Sequence, residues 1–386
     1  MYVMLGLAAS EDLTEKKFNM VRLLFSSLLA IHGLIHLMGF SKEWQLGPVS
    51  MLKNQTLLPL SHKMAKVTGT LWLLASLILI LGACFYIVGK NSVWILALIG
   101  IGLSQVLIII YWYDAKYGTI VNIIILLVVV VNIARVNFQK SVTAEITRIL
   151  SACSSIQHEE TLSSVETLPT VVQKWLRTSG SINIPPSHLK IIQKGEMRMK
   201  PDGSWIGFEA TQFNTIDPPA FVWNSQVNAG ALVTIAGRDK FEDGKGNMLI
   251  KPLFIYPLAN SSGDEIDQGA MIRYMSEIAW YPEAAHARYF QWQELDSTHA
   301  QITMTYGGLT ASGIFSFDAA GLIKSFSAQR FGDFDGEFRK EVWEVIIKEH
   351  KEINNHLIPN KCEVKWKLKD GDFTWLRLEV MDIVYN

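Results

Sequence analysis

Four long apolar runs in the first third of the chain constrain its fold more than any other feature. They occupy residues 22–40, 67–88, 93–112 and 118–136, about 19 to 22 residues each. Because an α-helix rises about 1.5 Å per residue, each run is long enough to cross the roughly 30 Å hydrocarbon core of a bilayer. From Phe138 onward charged residues recur every few positions, as in a water-soluble protein. The sequence therefore predicts four transmembrane helices followed by a soluble domain.

The predicted organisation has four parts. These are an N-terminal tail over 1–20, a four-helix transmembrane domain over 21–137, a helical connector over 138–182 and a soluble, β-rich domain over 183–386. Met20 stands two residues before the first run, so it is a second candidate, beside Met1, for the start of the protein. Lysine and arginine are slightly more frequent on the side of the bundle that carries both chain ends. The positive-inside rule therefore predicts a multi-pass protein of the cell (inner) membrane with a cytoplasmic C-terminal domain.

Charge and cysteine content exclude some functions. The 35 lysine and arginine residues nearly balance the 36 aspartate and glutamate residues, and the net charge of −1 gives no field that would attract nucleic acid. Of the three cysteines, Cys84 lies in an apolar run, whereas Cys153 and Cys362 are isolated. Since the cysteines form no C-x-x-C pair and no metal-ligand spacing, the sequence predicts no metal site and no cofactor.

His32 and His36 are the most unusual residues of the first apolar run. Four positions apart on a helix, their imidazoles share one face and point toward the same place in the bundle. Ionisable groups at this depth need a partner. One interpretation is a transition-metal site, a proton relay or a contact to a quinone head group. The other is structural, with both histidines hydrogen-bonded to polar residues of neighbouring spans such as Gln105, Asn122 or Asn132.

Asp114, in the turn between the third and fourth runs, also has two interpretations. It is either a solvated residue at the membrane surface or a polar gate that faces the two histidines. The candidate intramembrane polar site predicted from the sequence consists of His32, His36, Gln105 and Asp114.

From His188 onward short runs of alternating apolar and polar residues are separated by Gly, Asp and Asn, which is typical of antiparallel strands. Twelve strands are predicted, over 189–199, 205–214, 221–228, 231–241, 248–256, 289–295, 300–306, 311–317, 322–331, 342–348, 362–368 and 374–384. A helix over 267–280 interrupts them, and helices over 141–157 and 168–180 precede them. So many strands favour a sheet that curves strongly or splits into two layers.

The predicted fold class is therefore a membrane α-helical bundle plus a soluble α+β domain. Its strongly curved, half-barrel-like antiparallel sheet resembles the architecture of lipoprotein carriers and related lipid-binding folds. Aromatic residues of this domain either line a ligand cavity or form a filled core. Arg273 and Glu277, four residues apart on the predicted helix, form either a charged pair in a cleft or a surface salt bridge. The candidate ligand-binding residues are Trp223, Arg238, Asp239, Arg273, Glu277 and Trp280.

Common catalytic signatures are missing from the sequence. It has no G-x-S-x-G, no H-E-x-x-H and no nucleotide-binding glycine motif before a helix. The carboxylates of Asp239, Glu242, Asp243 and Glu277 include a candidate acid–base pair, but carboxylates in strands and turns are usually solvated. The sequence therefore favours a binding protein over an enzyme.

Several short segments resemble an uncharacterised family of bacterial membrane-anchored proteins. They are HGLIHLMGF at 32–40, SQVLI at 104–108, WYDAKYGT at 112–119, GRD at 237–239, GKGNM at 244–248, RYMSEIAWYP at 273–282, EVKW at 363–366 and DGDF at 370–373. The resemblance spans nearly the whole chain and implies no agreed activity. It also implies a soluble domain that is complete in itself, since that part occurs without the membrane spans. Over 348–356 this chain departs from the pattern, because His350 and Asn355-His356 stand where an aromatic residue and then a glycine are expected.

Three hypotheses follow from the sequence. The first is a membrane-anchored binding protein for an apolar or lipid-like small molecule, with the lipid bilayer as a further partner. The second is a membrane redox, metal or quinone-linked protein that uses His32 and His36. The third is an enzyme with an unrecognised acid–base site in the soluble domain. Whether the inside of the curved sheet is open or filled decides most between them.

Overall fold

The structure, a computed structural model, describes residues 2–47, 55–89, 93–153, 165–180, 186–230, 233–334 and 336–386, with the backbone alone for 2–19. The chain divides into two compact units, Met1–Ala134 and Arg135–Asn386. The first unit is helical, and the second contains the β-strands of the described chain.

The first unit is built from long helices. They are α1 (Tyr2–Glu43), α2 (His62–Ile87), α3 (Val93–Ile110), the short α4 (Trp112–Ala115) and the first part of α5 (Gly118–Cys153). Four stretches are long and apolar enough to cross a membrane, at Met20–Glu43, His62–Ile87, Val93–Ile110 and Gly118–Cys153. Each predicted apolar run therefore lies largely in one helix, although the second run extends one residue past α2 and the third extends past α3 to Trp112.

Two helices are longer than the sequence pattern predicted. α1 begins at Tyr2, so the predicted tail over 1–20 is the start of the same helix. α5 continues without a break to Cys153, whereas a span and a separate connecting helix were expected. The reason is local, because residues 119–153 contain neither glycine nor proline to end a helix. The last positions of that expected helix, 154–157, lie outside the described residues.

Glycines allow the helices of the first unit to pack closely. A Cβ atom on Gly39 of α1 would lie 2.7 Å from the indole ring of Trp72 in α2, and one on Gly100 of α3 would lie 2.7 Å from the Leu79 side chain in α2. Small residues at contact points are the usual means by which apolar helices associate. Leu79 is fully buried, which shows how tight the contact is.

The second unit is built on one antiparallel sheet of thirteen strands. In chain order they are β1 (His188–Met197), β2 (Ile206–Thr215), β3 (Ala220–Asn228), β4 (Thr234–Glu242), β5 (Lys245–Pro252), β6 (Ala259–Ser261), β7 (Phe290–Asp296), β8 (His299–Tyr306), β9 (Leu309–Phe317), β10 (Ile323–Phe334), β11 (Glu337–Ile353), β12 (His356–Leu368) and β13 (Gly371–Tyr385). The spatial order is β6-β5-β4-β3-β2-β1-β13-β12-β11-β10-β9-β8-β7. β6 and β7 are its edges in the described chain, so the sheet is not closed. The expected antiparallel sheet is confirmed, and β6 was missed because three residues are too few to show alternation.

Helix α7 (Asp264–Glu277) fills part of the space that the sheet encloses. It contacts β4 and β5 on one side and β8, β9 and β10 on the other. Met271, Tyr274 and Met275 are fully buried there. The sheet curves around the helix far enough for two hairpin turns to meet, since a Cβ atom on Gly244 would lie 2.8 Å from the Cα atom of Gly307. We call the surface of the sheet that faces α7 the inner face.

Shorter helical segments extend this core. They are α6 (Thr170–Thr178) and the 3-10 turns Ile278–Trp280 and Pro282–His286. Trp175 of α6 is 1% exposed, and its ring stacks on Phe315 with centroids 6.0 Å apart. α6 begins directly after Pro169, and Gly180 follows it with a φ of +80°, a conformation that favours glycine after a helix. The expected helix over 168–180 is confirmed in a shorter form.

The turn between β11 and β12 lies where the chain departs from the family pattern. Asn354 and Asn355 adopt φ angles of +48° and +65°, which asparagine tolerates better than most residues. His356 then places Nε2 2.6 Å from Glu283 Oε1, and its ring stacks on Tyr385 with centroids 4.2 Å apart. The hydrogen bond to Glu283 raises the pKa of His356 despite the opposing effect of burial. The protonated imidazole therefore stabilises the folded state.

This pair has a specific effect on the pH dependence of stability. Because the folded-state pKa of His356 lies above its ordinary value of 6.5, the stabilisation is complete below that value and is lost as the pH rises through the folded-state pKa. We expect His356→Gln to cost about 1 kcal/mol more at about pH 6 than at about pH 8.5. Denaturant titrations of the full-length protein in detergent, followed by tryptophan fluorescence, measure the difference. Glu283→Gln should remove the same pH dependence, and an unchanged dependence in both variants contradicts the assignment.

Candidate functional site

Three of the four predicted intramembrane residues belong to one hydrogen-bonded network in the first unit. His32 Nε2 lies 2.9 Å from Asn122 Oδ1, and the Asn122 amide donates to Gln105 Oε1 at 3.0 Å. His36 Nδ1 donates to the carbonyl oxygen of His32 at 2.7 Å, and the two rings meet edge to face. The Ser104 hydroxyl donates to Asn122 Oδ1 at 3.2 Å. Polar side chains of α1, α3 and α5 are therefore linked.

Asp114 lies apart from this network. Its carboxylate forms an ion pair with Lys42 at 3.1 Å. His36 Nε2 is buried and has no hydrogen-bond partner among the described residues. Among the described residues of the whole chain, no group of three or more His, Cys, Asp or Glu side chains is arranged to hold a metal ion. The contact to Asn122 accounts for the position of His32 without a ligand.

A cluster of charged and amide side chains lies on the inner face, centred on Arg273 of α7. Its guanidinium donates to Asp239 Oδ2 at 2.7 Å, to Glu277 Oε1 at 2.7 Å and to Gln212 Oε1 at 2.8 Å. It also lies 5.0 Å from the ring centre of Trp223. Arg273 thereby joins α7 to β2 and β4. We call Gln212, Asp239, Arg273 and Glu277 the inner polar cluster.

Charge is balanced within the inner polar cluster. Glu277 is 6% exposed and also accepts hydrogen bonds from the side-chain amides of Gln212 and Asn214. Burial lowers the pKa of Arg273, but Glu277 and Asp239 raise it, and the net result lies above its ordinary value. A buried guanidinium between two carboxylates therefore keeps its charge.

Two predicted ligand-binding residues lie elsewhere. Arg238 precedes Asp239 in β4, and because successive side chains of a strand point to opposite faces, Arg238 lies on the outer face. There its guanidinium lies 3.0 Å from Glu145 Oε2. Trp280 packs in the core and donates its indole N–H to the carbonyl oxygen of Pro359 at 3.0 Å. Neither residue joins the inner polar cluster.

A second arginine, Arg330 of β10, lies on the inner face in a different environment. Its guanidinium stacks on the rings of Trp343 and Trp366, at 4.8 and 5.9 Å from their centres. Nε donates to the carbonyl oxygen of Gly269 at 3.1 Å, and no carboxylate of the described chain forms an ion pair with Arg330. Burial lowers the pKa of Arg330 to about 10. This residue was not among those that the sequence pattern singled out.

The alternation of β10 contained a signal for Arg330. Phe326 and Ala328 are buried on the inner face, so the side chain two residues further along points the same way. Trp343 lies opposite Ala328 in β11 and is 4% exposed. Its indole N–H has no hydrogen-bond partner among the described residues. A charged residue at an inward position of an alternating strand is unusual enough to mark a candidate site.

Apolar side chains form a second cluster on the inner face, and Trp223, Leu376 and Leu378 connect it to the core around α7. Phe208, Ala210 and Val227 are buried at its centre. Partly buried neighbours complete it, namely Met197, Ile206, Trp223, Ile235, Leu376 and Leu378. Together they come from β1, β2, β3, β4 and β13. We call these residues the inner apolar cluster.

Comparison with protein families identifies the second unit. The profile described as "Family of unknown function (DUF6544)" matches residues 158–378, which is more than half of the chain. The chain belongs to this family. The match begins after Cys153, the last residue of α5, so the helices α1 to α5 lie outside it. The expected resemblance to an uncharacterised family is confirmed for the β-rich part of the chain.

Three solved structures are similar to the chain over about half of its length. A LolA superfamily protein from Nitrosomonas europaea has 10% identity, covering 56% of this chain and 94% of that one, with a TM-score of 0.30. A putative outer membrane lipoprotein-sorting protein domain from Vibrio parahaemolyticus has 6% identity, 58% and 94% coverage and a TM-score of 0.30. A beta-barrel-like protein of domain of unknown function DUF1849 from Brucella abortus has 11% identity, 53% and 99% coverage and a TM-score of 0.21. No curated protein sequence matches the chain. Similarities at this level assign no function to the chain.

The two inner-face arginines are expected to differ in their contribution to stability. Removing Arg273 leaves the carboxylates of Asp239 and Glu277 without their cation, whereas no carboxylate of the described residues contacts Arg330. We expect Arg273→Met to lower the free energy of unfolding by about 3 kcal/mol or more. For Arg330→Met the expected loss is about 1 kcal/mol. Denaturant unfolding of the full-length protein makes the comparison, and equal losses contradict it.

Proposed function

We propose that this protein is a membrane-anchored binding protein that holds an apolar or lipid-like molecule against the inner face of its sheet. The observation that carries the proposal is the inner apolar cluster, because several of its side chains remain partly exposed on an inward-facing surface. Apolar surface in contact with water is unfavourable by about 25 cal/mol per Å². A bound alkyl chain would remove that surface from water.

Strand β13 supports the inner face as the binding surface. Leu376 and Leu378 point inward and belong to the inner apolar cluster. Between them Arg377 points outward, is exposed, and lies 3.4 Å from the Glu363 carboxylate on the next strand. At β12 and β13 the outer face therefore carries solvated charge, whereas the inner face carries the apolar surface that a ligand would cover.

The inner polar cluster gives this surface a polar boundary. Trp223 belongs to the inner apolar cluster and at the same time stacks on the Arg273 guanidinium. On the far side of Arg273, the buried side chains of α7 fill the inner face. Sites for small molecules are commonly apolar surfaces with a few fixed polar groups at one end. The arrangement suits a molecule with an apolar body and a polar end.

Membrane attachment is supported by the four long apolar helices. These helices lie outside the family match, and the matched domain has its own hydrophobic core. The helices would therefore add membrane attachment to that domain. A loop of the second unit also presents apolar side chains, with Ile255, Tyr256 and Leu258 exposed by 46%, 73% and 68%. The adjacent Phe254 packs on Phe138 of α5 with ring centroids 5.6 Å apart. An exposed apolar loop with a tyrosine suits contact with lipid head groups.

Binding fits the inner polar cluster better than catalysis does. The carboxylates of Asp239 and Glu277 were candidates for an acid–base pair. Both are held 2.7 Å from the Arg273 guanidinium, and Glu277 accepts further amide hydrogen bonds. A general base must exchange a proton with a substrate near neutral pH. Carboxylates fixed in this way are better suited to hold a structure than to move protons.

Photolabelling with an uncharged probe tests ligand binding. A dodecanol derivative with a diazirine in its alkyl chain is irradiated with the full-length protein in lipid nanodiscs, and the labelled peptides are identified by mass spectrometry. We expect labels in β2, β3 and β13, near Phe208, Val227 and Leu376, because the alkyl chain covers the inner apolar cluster. Labels confined to the unit 1–134 would contradict the proposal.

Two neighbouring substitutions supply the control for this experiment. Leu376→Gln places a polar group on the inner face and is expected to lower labelling of the β-strands about fivefold. Arg377→Gln changes the next residue, on the outer face, and is expected to leave labelling unchanged. Equal labelling of the two variants would exclude the inner face as the binding surface.

A further inference from the structure

We infer that the bound molecule carries an anionic head group, a carboxylate or a phosphate on an alkyl chain, and that Arg330 binds this head group. The inference rests on the proposed function, because it specifies the chemistry of the same inner-face ligand. It is carried by the surroundings of Arg330, which differ from those of Arg273 in the contacts that balance a positive charge.

Arg273 shows what a charge-balanced arginine looks like on this surface. It contacts Asp239 and Glu277 at 2.7 Å each. Arg330 has the two indole rings and one main-chain oxygen as its neighbours, and no hydrogen bond or ion pair to a carboxylate of the described chain. Its terminal Nη groups donate no hydrogen bond to the described residues, although a guanidinium has five N–H donors. An oxyanion matches this fork of donors well.

Other charges near Arg330 do not supply that partner. Glu341 lies directly opposite Arg330 across the β10–β11 pair, but its carboxylate accepts a hydrogen bond from Arg339 Nε at 2.9 Å. Asp239 and Glu277 favour the charged form of Arg330 from a longer range, and Arg273 opposes it. Burial outweighs these effects and keeps the pKa of Arg330 below its ordinary value. The positive charge is therefore only partly compensated.

Trp343 adds a second unused donor at the same place. Its ring carries the Arg330 guanidinium, and its buried indole N–H has no acceptor among the described residues. A buried N–H group without an acceptor is unfavourable by about 1–3 kcal/mol. A head group with two or three oxygens offers acceptors to both Trp343 and Arg330.

The inner apolar cluster continues from this place, so a single molecule reaches both. Trp366 stacks on Arg330, and two residues before it Val364 is paired with Leu376 of the cluster. Alternation puts Trp366 and Val364 on the same face. Val364 is apolar, so β12 places no polar side chain between the arginine and Leu376, but Val364 is 4% exposed and is covered by other core side chains. An alkyl chain running from Arg330 to Leu376 would therefore have to displace the side chains that cover Val364.

Competition between ligands of equal chain length tests the inference. Dodecanoate, dodecyl phosphate and dodecanol each compete with the uncharged photoreactive probe for the inner face of the full-length protein in nanodiscs. We expect at least one of the anions to compete about tenfold better than dodecanol, because a charged hydrogen bond to the guanidinium is gained. The stronger anion shows whether the source is a fatty acid or a phosphate ester. Equal competition by dodecanol and both anions overturns the inference while the proposed function stands.

Arginine variants assign the effect to a residue. Arg330→Gln is expected to remove the preference for the anion while the uncharged probe still labels the inner face, which also shows that the variant is folded. Arg330→Lys keeps the charge and should retain part of the preference. Arg377→Gln, on the outer face, removes an arginine that already pairs with the Glu363 carboxylate and should leave the preference unchanged. A preference that survives Arg330→Gln overturns the inference, whereas a probe that never labels the inner face defeats the proposed function itself.

Discussion

The arrangement of the inner face depends on the hydrogen bonds and ion pairs of Arg273. This side chain extends from α7 to Asp239 in β4 and Gln212 in β2, and it pairs with Glu277 one turn further along its own helix. Because a buried cation and its carboxylates stabilise the fold only while they remain together, these contacts fix α7 relative to the strands. Held in this one orientation, α7 packs its buried apolar residues against both sides of the curved sheet.

The position of α7 divides the inner face into two parts. On one side of Arg273, Met271, Tyr274 and Met275 fill the space between opposite strands. On the other side lies the inner apolar cluster, which includes half-buried side chains such as Leu376. The same helix therefore leaves a limited apolar surface uncovered, which is the surface that the proposed ligand would occupy. Under the same proposal, the four apolar helices would keep the domain beside a supply of amphipathic molecules.

Much of this organisation could be predicted from local sequence patterns. Alternation gave the antiparallel strands, i,i+4 spacing gave the pair Arg273 and Glu277, and the same spacing brought His32 and His36 to one face. The absence of glycine and proline over 119–153 also favours one continuous helix. The predicted end of the fourth span at residue 136 divided this helix into two. These features depend on residues that are close together in the chain, which is why they could be predicted from the sequence.

Other parts of the site depend on contacts that are distant in sequence. Alternation along β4 sends the neighbours Arg238 and Asp239 to opposite faces, but only the distant contact of Asp239 with Arg273 shows which of the two faces is the inner one. Trp280 follows the same helix as Arg273 but turns into the core to reach Pro359. The site at Arg330 is formed together with Trp343 and Trp366, which lie on two other strands. Only the register of those strands shows that the three side chains meet.

The central claim is that the inner apolar cluster and Arg330 hold one amphipathic molecule. A density map of the full-length protein, purified with its native lipids and resolved to the level of side chains, tests it most directly. The account predicts elongated density along Leu376 and Leu378 that ends within hydrogen-bond distance of the Arg330 guanidinium. An inner face closed by the protein's own side chains, with Arg330 paired to a carboxylate of the same chain such as Glu341, would contradict it.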